Sequence, residues 1–123
     1  MCVRGERGQA LVEFAIVLPV LLALVTAIAE LGLTFNKYLT LTDAVRTGAR
    51  VAATSGTSAD ATIRDAVRSS ATGLSLADSQ ITITRPAPDR VTVAAKTPSS
   101  IALFGFSVLT IDLTSTTTER VEQ

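Results

Sequence analysis

Histidine and tryptophan are both absent from this 123-residue chain, and the single cysteine, Cys2, stands next to the initiator methionine. One thiol excludes a disulfide framework within the monomer, and without histidine it also excludes a Cys/His zinc site. Only 4% of the residues are aromatic, against 47% apolar in all. A soluble core usually draws on more aromatic side chains, so much of the apolar content belongs elsewhere. The formal net charge is zero, with no basic stripe or tail. Lys and Arg are not clustered to face phosphates, and nucleic acid is not expected as a partner. A histidine base, a Gly-rich phosphate loop and clustered carboxylates are all lacking. Enzymatic activity, a cofactor, a metal site and a small-molecule substrate are therefore not expected. The length allows one small domain.

What is present is a long oily run. GQALVEFAIVLPVLLALVTAIAEL begins at Gly8, and residues 14–29 carry no charge and one hydroxyl, Thr26. Counted from Gln9 to Leu33 the run holds 25 residues, about 37 Å of helix at 1.5 Å per residue. A bilayer core of about 30 Å is spanned by that length with some tilt. Arg4 and Arg7 precede it, which keeps the N-terminus cytoplasmic and sends the rest outward. Three readings of the run stand. It is a secretion signal cut at the A-x-A-like Ala27-Ile28-Ala29, or an uncleaved single-pass anchor, or a segment cut before the apolar run. Glu13 separates them. A carboxylate so near the start of a membrane-length run asks for a partner. The signal and the plain anchor leave it without one, although snorkelling to the headgroup zone accommodates it one turn in. Pro19, mid-run, reads as a kink that membrane helices tolerate.

Gly8 followed by Gln9-Ala10-Leu11-Val12-Glu13-Phe14 resembles the prepilin peptidase site of type IV pilin-like proteins. Together with Pro19, Glu30-Leu31-Gly32, LTDAVRTGARVAA and the closing TSTTTERVE, the chain is similar to the TadE-like family, the minor pilins or pseudopilins of tight-adherence pili. The resemblance is strongest over residues 7–53. It implies cleavage between Gly8 and Gln9, and an assembly and processing role for Glu13 and Phe14. The implied partners are the prepilin peptidase, other pilins or pseudopilins of the same system, the inner-membrane pilus assembly platform and the lipid bilayer. The implied location is a bacterial cytoplasmic membrane, single-pass, with the C-terminal domain external. On this view residues 1–8 are a leader, 9–33 a transmembrane helix and 34–123 an external domain. Cleavage leaves an α-amine on Gln9 that Glu13 of a neighbouring subunit can meet where the dielectric is low, unless the N-terminal glutamine cyclises. Two other functions stay open. One is an uncleaved envelope protein with an external binding domain. The other is a secreted domain released after Ala29.

Beyond the run the helical pattern continues. Leu41, Ala44, Val45, Gly48, Val51 and Ala52 recur at helical spacing, with Lys37, Thr40, Asp43, Arg46, Thr47 and Arg50 between them. That is an amphipathic helix with a narrow stripe, ending near Thr54 to Gly56. Gly48 lets another backbone approach, either the chain's own sheet or a neighbouring subunit. A short second helix starts at Ser58 as N-cap, uses Ile63, Ala66 and Val67 as its inner face, and is capped by Gly73. Arg64, Asp65 and Arg68 read as a solvated face. The period then becomes two: Ile81, Ile83 and Arg85, a turn at Pro86-Ala87-Pro88-Asp89, then Val91, Val93 and Ala95. A break is expected at Thr97-Pro98-Ser99-Ser100. Ile101 to Leu109 reads as a buried turn of helix or as an apolar patch at a loop tip, facing the bilayer surface or a partner subunit, and Leu109 to Thr118 as the last strand. The fold class is α+β: a long N-terminal helix, half membrane and half amphipathic, a short second helix, and a three-stranded antiparallel sheet packed on the long helix.

Overall fold

The computed structural model describes residues 4–54 and 59–121, with side chains from Gly8 onward. Helix α1 runs unbroken from Arg4 to Thr54 and helix α2 from Asp60 to Ser70. A single 3₁₀ turn, Asp78–Gln80, leads into strands β1 (Ile81–Ala87), β2 (Arg90–Leu103) and β3 (Phe106–Arg120). The strands form one antiparallel sheet in the order β1-β2-β3, and β2 and β3 pack on the C-terminal half of α1. The α+β architecture is the one the periodicities call for.

The core lies between the inner stripe of α1, the inner face of α2 and one face of the sheet. Leu41, Ala44, Val45, Ala49 and Ala52 from α1 meet Ile63 and Val67 from α2 and Ile81, Val91, Val93, Ala95 and Leu113 from the strands. Side chains on a strand alternate between faces, and the register Ile81↔Ala95 and Ile83↔Val93 sets the alternating apolar residues of β1 and β2 on the same side. The α1 stripe is wider than the spacing alone indicates. Ala49 and Ala53 are buried as well, while Val51 is half-buried.

Four expectations are corrected. The break at Thr97-Pro98-Ser99-Ser100 does not occur, because β2 passes straight through it, with Pro98 opposite Asp112. β1 pairs only as far as Ala95, so β2 has an open edge beyond that point, where a proline removes no required donor. The turn before β2 is shorter than four residues: β1 extends to Ala87, and only Pro88 and Asp89 turn. Arg85 and Pro86 form a bulge there, between the pairs Thr84↔Thr92 and Ala87↔Arg90. Gly73 does not cap α2. The C-cap is Ala71, and Gly73, at φ +80°, serves the next turn, closed by the Leu74 N–H donating to the Ala71 carbonyl at 3.0 Å. The helical alternative for Ile101 to Leu109 also fails, since these residues make the far end of the β2–β3 hairpin, which turns at Phe104-Gly105. Ser58, expected to cap α2, lies outside the described residues, and Ala59 holds the N-cap position without a side-chain bond.

Ser99 sits on the inner face of β2, 2% exposed, and its hydroxyl has no hydrogen-bond partner among the described residues. An unsatisfied buried hydroxyl costs about 1–3 kcal/mol. Ser99→Ala is expected to raise stability by about 1 kcal/mol, read as a higher midpoint in denaturant for the detergent-solubilised chain. A lower midpoint would show that the hydroxyl is bonded in solution.

Candidate functional site

Among the described residues, nothing packs on the N-terminal half of α1. Leu11, Val12, Phe14, Ile16, Val17, Val20, Leu21, Leu24, Val25, Ile28, Leu31 and Leu33 are all exposed, on every side of the helix. A soluble helix shows one apolar stripe, and one apolar all round is covered by protein or by lipid. The segment from Gly8 onward is long and apolar enough to cross a membrane, and its most apolar stretch is not buried inside the protein at all. Thr26, the one hydroxyl of residues 14–29, donates to the Leu22 carbonyl at 2.8 Å. Its polarity is thereby met within the helix, as a lipid-facing segment requires. Helix α1 passes through Pro19 without interruption.

At the start of this half, Gly8, Gln9, Val12, Glu13 and Ile16 line one shallow, open groove. The candidate junction Gly8-Gln9 and the carboxylate of Glu13 therefore border the same groove, with Gln9 and Glu13 four apart on one face of α1. Phe14 is exposed beside them. Glu13 has no ion-pair partner among the described residues. Glycine inside a helix costs about 1 kcal/mol relative to alanine. A Cβ on Gly8 would meet nothing within 4 Å, so packing gives no reason for a glycine there. The junction lies within the first turns of α1, where opening the backbone costs least.

Gly48 belongs to a different part of the design. A Cβ there would stand 2.3 Å from Val67 Cγ2, with the Ile63 carbonyl oxygen 3.6 Å away. The close approach is made by the chain's own α2, and not by its sheet.

Sequence reasoning missed two features. Arg68, read as a solvated side chain, ties α2 to the segment after it. It pairs with Asp65 at 2.9 Å and with Asp78, and its Nε donates to the Leu76 carbonyl at 3.4 Å. The Asp65/Arg68 spacing was the available signal. The second is a polar groove between α1 and β3, lined by Asp43, Arg46, Thr47, Arg50, Thr117 and Glu119. Its β3 half is contributed from some seventy residues further along the chain, beyond what local spacing can show.

The fold and this site define a class: a chain with a bare, membrane-length N-terminal helix whose C-terminal half carries a small α+β head. Residues 8–50 match the model of the family described as TadE-like protein. The match takes in the Gly8-Gln9 junction, the apolar run and the amphipathic part of α1 as far as Arg50, and it supports the resemblance read from the sequence. No curated protein and no solved structure shows significant similarity to the chain.

Proposed function

We propose that the protein is a pseudopilin or minor pilin subunit, acting structurally in the assembly of a tight-adherence, type IV-like pilus. It is held in the membrane by α1, with residues 1–8 inside and the α+β head outside. A prepilin peptidase cuts between Gly8 and Gln9. The subunit then exchanges the lipid contacts of α1 for contacts with other pilin helices at the inner-membrane assembly platform. Glu13 meets the new α-amine of a neighbouring subunit and sets the axial register between them.

The observation that carries this reading is the bare apolar helix that presents Gly8, Gln9 and Glu13 along one open groove, inside the segment that matches the TadE-like family. The family association supports a pilus role. The cut rests on the resemblance of Gly8-Gln9 to a prepilin peptidase site, and the Glu13 pairing on that resemblance and on the groove that Glu13 shares with Gln9.

Gly8→Trp separates processing from folding. The space around Gly8 is empty, so the substitution leaves the fold intact while filling the room a peptidase needs at the junction. The expected result is accumulation of the full-length, membrane-bound chain in the native host. A chain of mature size would remove Gly8-Gln9 as the cleavage site.

A further inference from the structure

Past the ion pair between Lys96 and Asp112, at 2.8 Å, the β2–β3 hairpin carries no charge: residues 97–111 read TPSSIALFGFSVLTI. Its far end is apolar and uncovered. Phe104 is 58% exposed and Phe106 78%, and Val108 and Leu109 are exposed as well. Ile101 pairs with Leu109 and Leu103 with Phe106, so all four continue the inner face of the sheet beyond the core. The register shift between Ile101 and Ala102 leaves Val108 as the extra residue. Phe104 opens the turn at φ +52° and Gly105 follows at φ +85°. The first of these positions normally takes Asn, Asp or Gly, and a bulky side chain at positive φ is strained. Such an outlier, placed at the outermost point of an apolar tip, points to a role outside the fold.

The direction of the hairpin says where the tip lies. Helix α2 runs back along α1, with Ile63 and Val67 against Gly48. Asp60, at the start of α2, therefore lies near the C-terminal end of α1. Arg85 of β1 pairs with Asp60 at 2.8 Å, while Ile81 lies in the core, so β1 heads toward that end and β2 heads back toward the membrane half of α1. Thr34, two turns before Leu41, is buried in a stretch whose neighbours are exposed, consistent with strands reaching beyond the core. From Val93 to Leu103 is about 33 Å of strand, equal to about 22 residues of helix. Measured back from the core residues of α1, Leu41 to Ala52, and shortened by the inclination of strand to helix, that length brings the tip beside the outer third of the apolar run.

We infer that the tip of the β2–β3 hairpin is a second membrane contact, seated at the boundary between headgroups and acyl chains of the outer leaflet, where it fixes the tilt of the head about α1. The inference rests on the reading of α1 as a membrane span. A second subunit would cover one face of the hairpin. A lipid surface accepts an uncharged tip whose apolar face carries Ile101, Leu103, Phe106 and Leu109 and whose other face carries only small residues, Ser100, Ala102, Ser107 and Thr110, and this tip lies beside the outer part of the span. The unpaired backbone edges of the hairpin hold it at the interface and keep it out of the hydrocarbon.

The chain has no tryptophan, so a single indole reports cleanly. Phe106→Trp and Leu22→Trp are each prepared in the full chain, in phosphatidylcholine vesicles with and without brominated acyl chains. Both indoles should be quenched by bromine, that at position 106 most strongly when the bromine lies near the headgroup end. Adding Phe104→Asn, which suits the left-handed turn, should keep the fold and at least halve the quenching at position 106. A quenched Leu22→Trp with an unquenched, water-exposed Phe106→Trp would overturn the inference and leave the span standing. If neither is quenched, the span fails and the inference with it. A shielded indole at position 106 that bromine does not reach, growing with protein density in the vesicle, would overturn it in favour of a subunit contact.

Discussion

Gly48→Leu is expected to unpack the α+β head while leaving the apolar half of α1 helical. Leucine is the better helix former by somewhat less than 1 kcal/mol, but there is no room for it. Even a Cβ would stand 2.3 Å from Val67 Cγ2. Val67 is fully buried and β-branched, so it has one strongly preferred rotamer in a helix and nowhere to turn. Ile63 and Val67 are the two buried residues of α2, and both face Gly48. A side chain there pushes α2 off α1 and opens the core it covers. Overpacking typically costs 1–3 kcal/mol and occasionally more. A head this small has little stability to spare, so the expected net loss is about 3 kcal/mol or more. Gly48→Ala should lose about 1 kcal/mol, since helix propensity offsets part of the clash. Amide hydrogen exchange on the detergent-solubilised chain reads both variants. Exchange in α2 and β2 should become fast with leucine, while the amides of the apolar run stay protected. Unchanged protection in α2 would show that α2 does not rest on Gly48.

The second large effect belongs to Glu13. Glu13→Ala should leave the protein in the membrane, because the substitution makes the apolar run more apolar, and should reduce its incorporation into pilus assemblies by about a hundredfold. The reason is asymmetric. Removing one partner of a buried ion pair leaves the other charge buried alone, which costs about 3–5 kcal/mol. Within its own chain Glu13 faces an open groove with no partner among the described residues, so its replacement should cost the fold nothing. Glu13→Asp, which keeps the charge and shortens the reach, should fall between. The measurement is the amount of the subunit co-purifying with sheared pili, set against its amount in the membrane. Wild-type incorporation of Glu13→Ala would remove the pairing account.

The elements of this fold were legible where periodicity is long. The change from a wholly apolar run to an amphipathic stripe, and then to period two, gives the two halves of α1, α2 and the first hairpin in order. Misreadings came where local chemistry and tertiary context disagree. Thr-Pro-Ser-Ser is loop composition, yet β2 crosses it, because Pro98 stands on an edge that β1 has already left and the inner positions Thr97 and Ser99 are small enough to be buried. The segment around Phe104 and Phe106 has too little alternation to show a strand pair, and its turn lacks the Asn-Gly signature that marks most two-residue hairpins. On the candidate site, the sequence supplied Gly8, Gln9 and Glu13 by resemblance. The structure adds that they border one open groove and that no packing explains Gly8. The partner of Gly48 was not legible, since Val67 and Ile63 reach it only once the two helices fold back on one another.

The most direct test of the account is the intact mass of the membrane-extracted protein from its native host, with mapping of the N-terminal peptide. A chain beginning at Gln9 is the expected result, and its mass also reveals whether the new terminus is a free amine, methylated or cyclised. A chain beginning at Met1 or Cys2 in cells that process their other prepilins would contradict the account and leave an uncleaved anchor. A chain beginning at Glu30 would make the apolar run a secretion signal, and the assembly role of Glu13 would fall with it.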